Sequence, residues 1–424
     1  MTPGRSFCAL LVGVAFIGLV TPLPSEAISL EEAVYRGMLN HPSVAAARAE
    51  VEAAGINLDI AVDGYWPTVQ ASAGPENSLW GEIGYEVTAR QTLYDWGEVN
   101  SQVEGASAVE RQKLEALKIA SAEAALDIIE VYLDVLLYES RAEAVKRHIT
   151  RLGQLAELSH DRSELGYVGR SEAGRAELEL ARAREQLAVE RGALADAKSQ
   201  FRELVGYAAE DLSQPDPKAI IGRLRRSGEL DKAVAEAPEY RRVREEVDEA
   251  IARRDESRAA LKPRLNLEGS LMRREIGGRM EEDAVIALRL RIDTFQGLSN
   301  FRRVESAGRQ VEAARWEQRA TRRELRRELT AWFEQHEVLG WRLESLEVQL
   351  RRAEEVAEAY HEQFEAGLRD IEDLLPIQRD MFDTERQIRE VESQKVRLQY
   401  RVASRLGRLN EVLSSKVDDG NEAL

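Results

Sequence analysis

The 424-residue chain carries 76 acidic and 59 basic side chains, a formal net charge of −17, and so lacks the basic footprint that phosphate contacts demand of a nucleic-acid binder. Its 28 glycines and 11 prolines are too few for a collagen-like or disordered chain. With 32% charged and only 6% aromatic residues, the composition favours long solvated helices over one large globular core.

At the start, Arg5 precedes an uncharged apolar run from Phe7 to Val20, followed by Thr21-Pro22-Leu23-Pro24 and the small-residue site Ser25-Glu26-Ala27. This reads as a secretory signal peptide over residues 1–27. The run is too short to span a bilayer as a helix. Cys8, the single cysteine, lies inside it. The mature chain is therefore expected to hold no disulfide, cysteine-based metal site or cysteine nucleophile, and with no Cys just past the cleavage site it should carry no lipoprotein anchor. No later segment offers 18 uncharged apolar residues, so entry into a membrane would require strands.

The rest of the chain reads as a duplication. Pro42 and Pro67 return as Pro238 and Pro263, each shifted by 196; Gly97 and Asn100 return as Gly297 and Asn300; Glu164-Leu165-Gly166 returns as Glu365-Ala366-Gly367. The expected first repeat is 28–206, the second 229–412, with a linker at 207–228 that contains Pro215-Asp216-Pro217 and a tail at 413–424. Each repeat opens with helical sequence, 30 to 63 and 229 to 261, that ends before a proline. Strand-like segments follow. In hairpin 67–93, Val69 and Ala71, then Ile83, Tyr85, Val87 and Ala89, alternate with polar residues; in hairpin 263–293, Leu265 and Leu267, then Ile286, Leu288, Leu290 and Ile292, do the same. The turns are expected at Gly74 to Leu79 and Arg274 to Glu282.

Long helical stretches then run from 97 to 162 and 298 to 364, each with a glycine-containing turn and a return helix, 171 to 205 and 371 to 411. Leu180, Leu187, Leu194 and Phe201 recur at seven-residue spacing. So do Leu343, Leu350, Ala357 and Phe364, beside Leu346, Ala353 and Tyr360. A sustained heptad implies coiled-coil pairing.

Four strands with one apolar and one polar face, in an exported chain, have two settings: a small sheet packed on the helices, or part of an outer-membrane barrel with its apolar side to lipid. Four strands cannot close a barrel, and open edges are not tolerated in lipid. Two copies would supply eight strands, filled by side chains, whereas three would supply twelve and leave room for a channel. Trp66, Trp80 and Trp96 bracket the first hairpin with Tyr65 and Tyr94, as an interfacial aromatic girdle would; the second hairpin has only Phe295.

The sequence resembles the TolC-like outer-membrane efflux proteins, the outer membrane factors of tripartite exporters. The resemblance rests on Ser29-Leu30-Glu31-Glu32-Ala33 leading to Asn40-His41-Pro42, the Trp66-Pro67 strand entry, Gln91-Thr92-Leu93-Tyr94-Asp95-Trp96-Gly97, Val131-Tyr132-Leu133-Asp134-Val135-Leu136, and Phe364-Glu365-Ala366-Gly367. It spans nearly all the mature chain and lies in the order, spacing and duplication of these motifs. It implies a mainly α chain with a small β part: long coiled-coil helices forming a periplasmic tunnel, and four strands per protomer in a homotrimeric 12-stranded outer-membrane β-barrel. The implied partners are a periplasmic adaptor (membrane fusion protein), an ABC or proton-driven inner-membrane pump and outer-membrane lipid. The Tyr94-Asp95-Trp96-Gly97 wording looks like members that serve type I secretion, although drug-efflux ducts share much of it.

By the same resemblance, Gly166 and Gly367 mark the tip turns at which inner helices constrict the tunnel. Arg369 then falls on the family's gate Arg, Asp373 on its first gate Asp, and Ser171 and Glu172 on their hydroxyl and acidic partners. The family's second gate Asp is Pro376 here, which leaves a second acidic ring without its residue. Asp370 and Glu372 either add tip charge or serve as helix N-terminal acids favoured by the macrodipole.

Other chemistry finds little in the sequence. His361-Glu362-Gln363-Phe364-Glu365 has Glu where a zinc helix needs its second His, and His336-Glu337 is followed by no His four residues on. Neither Gly-rich nucleotide pattern occurs. Arg322-Arg323 and Arg326-Arg327 alternate with Glu324 and Glu328, as solvated faces with local ion pairs do. The expectation is a passive exit duct opened by adaptor docking, with no catalytic residue, metal or cofactor. The rival is a non-channel periplasmic coiled-coil scaffold, which would not need alternating strands; a zinc-dependent hydrolase has almost no support.

Overall fold

The computed structural model describes residues 27–39, 41–75, 83–167, 169–276, 279–292 and 299–413. Residues 1–26 of the signal peptide, Asn40, the Glu76-to-Leu79 part of the expected first turn, Trp80, Phe295 and Gly297 therefore lie outside the described residues, as does the chain beyond Leu413.

The first helices among the described residues are α1 (Leu30–Leu39) and α2 (Pro42–Asp63). The single helix expected over 30 to 63 is thus broken. His41 is extended, with φ −70° and ψ 121°, because the ring of Pro42 excludes the helical conformation from the residue before it while suiting the first helical position itself. The second half breaks in the same way, into α6 (Leu230–Glu236) and α7 (Pro238–Ala259), with Ala237 extended before Pro238. Between the halves, α5 (Ile220–Ser227) is the one helix among the described residues of the linker.

Strands β1 (Thr68–Pro75), β2 (Ile83–Tyr94), β3 (Arg264–Ile276) and β4 (Arg279–Arg291) form one antiparallel sheet in the order β1-β2-β3-β4. The β2–β3 pairing, Val87 opposite Leu271 for example, joins the two repeats edge to edge. The hairpins outrun the expected turns. Gly74 and Pro75 are paired with Gly84 and Ile83, and the stretch read as a turn after Arg274 continues the ladder through Arg274↔Glu281 and Ile276↔Arg279. The charged residues there break the apolar alternation, but Arg and Glu stand opposite each other across the strands, which stabilises a solvated end of a hairpin.

Helices α3 (Glu98–Glu164) and α8 (Ser299–Glu365) have 67 residues each, so each extends about 100 Å. They return as α4 (Arg170–Val205) and α9 (Ile371–Arg405). The final helix ends earlier than expected, because Gly407 adopts a left-handed φ of 68° and starts the separate α10 (Leu409–Leu413). Helix α3 packs against α2 and α7 along one part of its length and against α4 and α9 along the rest. Ion pairs lace these seams: Arg111 to Glu245 at 2.6 Å, Arg397 to Asp134 at 2.6 Å, and Arg141 to Glu390. The heptad residues bear out their period, with Phe201, Leu346, Ala353, Ala357 and Phe364 buried and Leu180, Leu187, Leu194, Leu343 and Leu350 half-buried.

The largest core lies at mid-length, where short and long helices meet: Ile128, Ile129, Tyr132, Phe201, Ile221, Leu224, Leu329 and Tyr400 are fully buried there. Burying each such side chain stabilises the fold by about 1.5–3 kcal/mol. Tyr132, from the Val131-to-Leu136 motif, places its hydroxyl 2.9 Å from the carbonyl of Ile28 and 2.6 Å from that of Ser213. It thereby pins the bridge between Ile28 and Leu212 to the long helix. Burial pushes its pKa up, so the phenol stays a neutral donor. Gln399 of α9 accepts the Ile221 N–H at 3.1 Å, tying down the linker helix.

Candidate functional site

Two regions collect the candidate residues: the sheet and the hairpin tips. In the sheet, register decides the faces. Val69 stands opposite Ala89, Ala71 opposite Val87, Leu265 opposite Leu290, Leu267 opposite Leu288, and Ile83 opposite Pro75; Tyr85 and Ile286 occupy matching positions. Residues directly opposite point the same way, so these apolar side chains share one face, with Ile292 just past the end of β4. That face is bare. Ile286 is 85% exposed, Val69 68% and Leu288 63%, whereas Asn266 and Glu268 on the polar face are 3% and 7% exposed. The sheet is therefore inside out relative to one that covers a soluble core, and an apolar patch of this extent marks a surface that meets lipid or another protein. A small sheet packed on the helices would bury the opposite side.

The aromatic residues next to the sheet cluster at its helical end. Trp96 donates its indole N–H to the Pro263 carbonyl at 2.9 Å and meets Tyr94 edge-on at 4.9 Å, with Lys262 over its ring; Tyr65 and Trp66 are exposed nearby. The Tyr94-to-Gly97 motif acquires a mechanical meaning. Trp96 and Gly97 both take positive φ, 62° and 84°, turning the chain from strand to helix, and Asp95 accepts the N–H groups of Gly97 and Val99 at 2.9 and 2.8 Å. These are the unsatisfied donors of the first turn of α3.

At the opposite end, both long hairpins turn through glycines in the left-handed region, Gly166 at φ 78° and Gly367 at φ 75°, where a side chain would be strained. Leu165, Tyr167 and Leu368 are exposed on the turns. Beneath them Phe364, Ile371, Leu374, Leu155 and Ala176 form a small buried cluster joining the two hairpins. Arg369 places its guanidinium carbon 3.7 Å from the centre of the Tyr360 ring, donates to Gln363 Oε1 at 2.9 Å and pairs with Asp373 at 3.0 Å. Arg369 and Asp373 are thus brought together within one hairpin, Arg369 in the turn just before α9 and Asp373 in the first turn of that helix.

Ser171 and Glu172 do not reach Arg369. Glu172 instead accepts the Ile371 N–H at 3.1 Å, so the carboxylate of one hairpin satisfies the helix N-terminus of the other. Asp370, at the N-cap of α9, makes no side-chain cap bond, and Glu372 pairs with Arg175 at 2.7 Å. Pro376 sits inside α9 and removes the N–H that would meet the Glu372 carbonyl, so this is where bending costs least. Farther up, Glu179 bridges Arg182 and Arg379, each at 2.6 Å. Burial raises its pKa, but the two guanidinium groups outweigh that and hold it below the usual carboxylate range.

Sequence reasoning missed Arg162 at the tips and His148 farther up the same hairpin. Arg162 donates to the Phe364 carbonyl at 2.7 Å and covers its ring, holding the two turns together; its place one turn before Gly166 was the available signal. His148 lies stacked on Phe382 at 4.5 Å. Burial, reinforced by Arg151 and Arg379 and opposed by Glu179 and Glu385, pushes its pKa down to about 4. It is neutral at ordinary pH and belongs to the packing of the hairpins.

With this geometry in hand, the comparisons separate the two settings of the sheet. The model of the family described as outer membrane efflux protein matches residues 34–207 and 230–408. The chain belongs to the outer membrane efflux protein family. The two matched segments fall on the two halves joined at the β2–β3 pairing, and the family's place is the cell outer membrane with a helical portion in the periplasm. The fold is also that of solved channels. The outer membrane protein VceC from Vibrio cholerae aligns with TM-score 0.76 at 15% identity, over 89% of this chain and 96% of that one. The open state of the MtrE channel of Neisseria gonorrhoeae gives 0.73 at 17% identity, over 90% and 89%, and the outer-membrane channel OprN gives 0.76 at 19% identity, over 89% of each chain. No curated protein sequence matches the chain. Among the described residues no helix is long and apolar enough to cross a membrane.

Proposed function

We propose that three copies of this outer-membrane efflux protein close their four-stranded sheets into a twelve-stranded barrel, continuous with a periplasmic tunnel of long helices. The observation that carries the reading is the inside-out sheet with two unpaired edges, β1 and β4. A lipid-exposed edge leaves backbone N–H and C=O groups unsatisfied, and only further copies of the same sheet can pair them. Bare apolar residues on the helices support the same assembly: Val338, Trp341 and Val348 on α8, and Ile56 and Ile60 on α2.

In this reading the tips around Gly166 and Gly367 form the periplasmic gate. Arg369 and Asp373 set the charge at its mouth, Glu172 and Ser171 sit at the seam between hairpins, and Asp370 and Glu372 add acidic charge. A periplasmic adaptor engages the tips, the hairpins splay at Pro376, and cargo supplied by an inner-membrane pump passes outward. Native mass measurement of protein extracted in mild detergent tests the architecture: a trimer is expected, and a monomer or dimer in preparations that retain channel activity overturns it.

A further inference from the structure

The polar face of the sheet is divided by charge along the strands. In the rows next to the helices stand Arg264 opposite Arg291, Asn266 opposite Arg289, and Arg90 opposite Glu268. Beyond the Glu268 row, at the strand rise of ~3.3 Å per residue, the same face carries Glu86 and Asp283 about 13 Å farther out and Glu281 opposite Arg274 about 20 Å out. Glu268 is the focus of the inner rows. Its carboxylate accepts from Arg90 at 2.7 Å and pairs with Arg289 at 2.9 Å and Arg291 at 3.4 Å, while Arg264 is matched by Glu98 of α3 at 2.9 Å.

One carboxylate therefore faces three guanidinium groups. A single pair would suffice to bind β2 to β3; three arginines leave two positive charges in each copy uncompensated by Glu268. Arg289 and Arg291 also keep 58% and 42% of their side-chain surface open, with donors left over beyond those spent on Glu268. Resting on the barrel reading above, we infer that these residues form a basic ring at the inner mouth of the barrel that binds multiply charged phosphate or carboxylate anions, with Glu268 standing in for the anion when none is bound. Rings of arginine are how pores select anions, and a lumen with low-dielectric walls strengthens such a field. Fork-shaped guanidinium groups suit phosphate and carboxylate oxygens.

The test is block of single-channel current by inorganic tripolyphosphate, added to planar bilayers holding the full-length protein. Block is expected in the wild type and should weaken as KCl rises, because salt screens exposed charge. Arg289→Gln and Arg291→Gln should each weaken it roughly tenfold, since each removes a charge-assisted contact. Glu268→Gln should strengthen it by freeing three arginines; should that variant fail to assemble, the two arginine variants decide alone. An unchanged half-blocking concentration in both arginine variants overturns the ring. Loss of block in Arg369→Ala instead places the anion site at the tips and equally overturns it. A channel that conducts without arginine-dependent block refutes this inference alone, whereas no conductance under any condition refutes the channel reading beneath it.

Discussion

Leu288→Arg should abolish recovery of the protein from the outer membrane, whereas Thr88→Arg should leave it at the wild-type level. Leu288 lies at mid-strand on the bare face, opposite Leu267, and an arginine at the midplane of a barrel wall costs about 2–4 kcal/mol on the lipid side. In the proposed trimer that cost would arise three times, comparable with the whole stability of many folded domains. Thr88 points to the other side, opposite Gln70 and Ser270, where water can solvate a new guanidinium. Outer-membrane fractions probed by immunoblot separate the outcomes. Equal recovery of both variants would mean that neither face meets lipid.

The second large effect is expected at the tips. Arg369→Ala removes the guanidinium that now joins Tyr360, Gln363 and Asp373, and in the proposed trimer would leave three copies of Asp373 around the axis without their positive partners. Repulsion among like charges should then favour the splayed hairpins, and single-channel conductance in planar bilayers should rise several-fold. The fold should survive, because the cluster of Phe364, Ile371 and Leu374 beneath is untouched. Asp373→Asn should weaken cation preference, since acidic rings select cations. Unchanged conductance in Arg369→Ala would place the constriction elsewhere along the tunnel.

How much of this was legible depends on the kind of residue involved. The duplication, the two 67-residue helices and the two-faced strands follow from periodicity, which apolar side chains impose regardless of tertiary detail. The breaks before Pro42 and Pro238 were not read, because a proline at the first helical position leaves the helical pattern intact on both sides. Nor was the extension of the β3–β4 hairpin through Arg274 and Arg279, where opposed charges replace the alternating apolar signal.

At the tips, spacing from Gly367 located Arg369 and Asp373 but could not say which carboxylate the arginine would take. Asp373, in the first turn of α9 four residues after Arg369, was already in place, while Glu172 was drawn to the free N–H of Ile371. Those choices are set by helix-end chemistry and by packing between hairpins distant in sequence. The basic cluster around Glu268 was invisible for the same reason. Arg90 and Glu268 are 178 residues apart and meet only through the β2–β3 register.

The central claim is that the sheet has one side in lipid and the other in water, and thiol labelling tests it directly. In a Cys8→Ser background the chain has no cysteine, so Thr88→Cys and Leu288→Cys each supply a single probe. With a membrane-impermeant thiol reagent applied to intact outer membranes, Thr88→Cys should label from the lumen and Leu288→Cys should stay unmodified until detergent is added. Labelling of Leu288→Cys as rapid as that of Thr88→Cys, before detergent, would contradict the account.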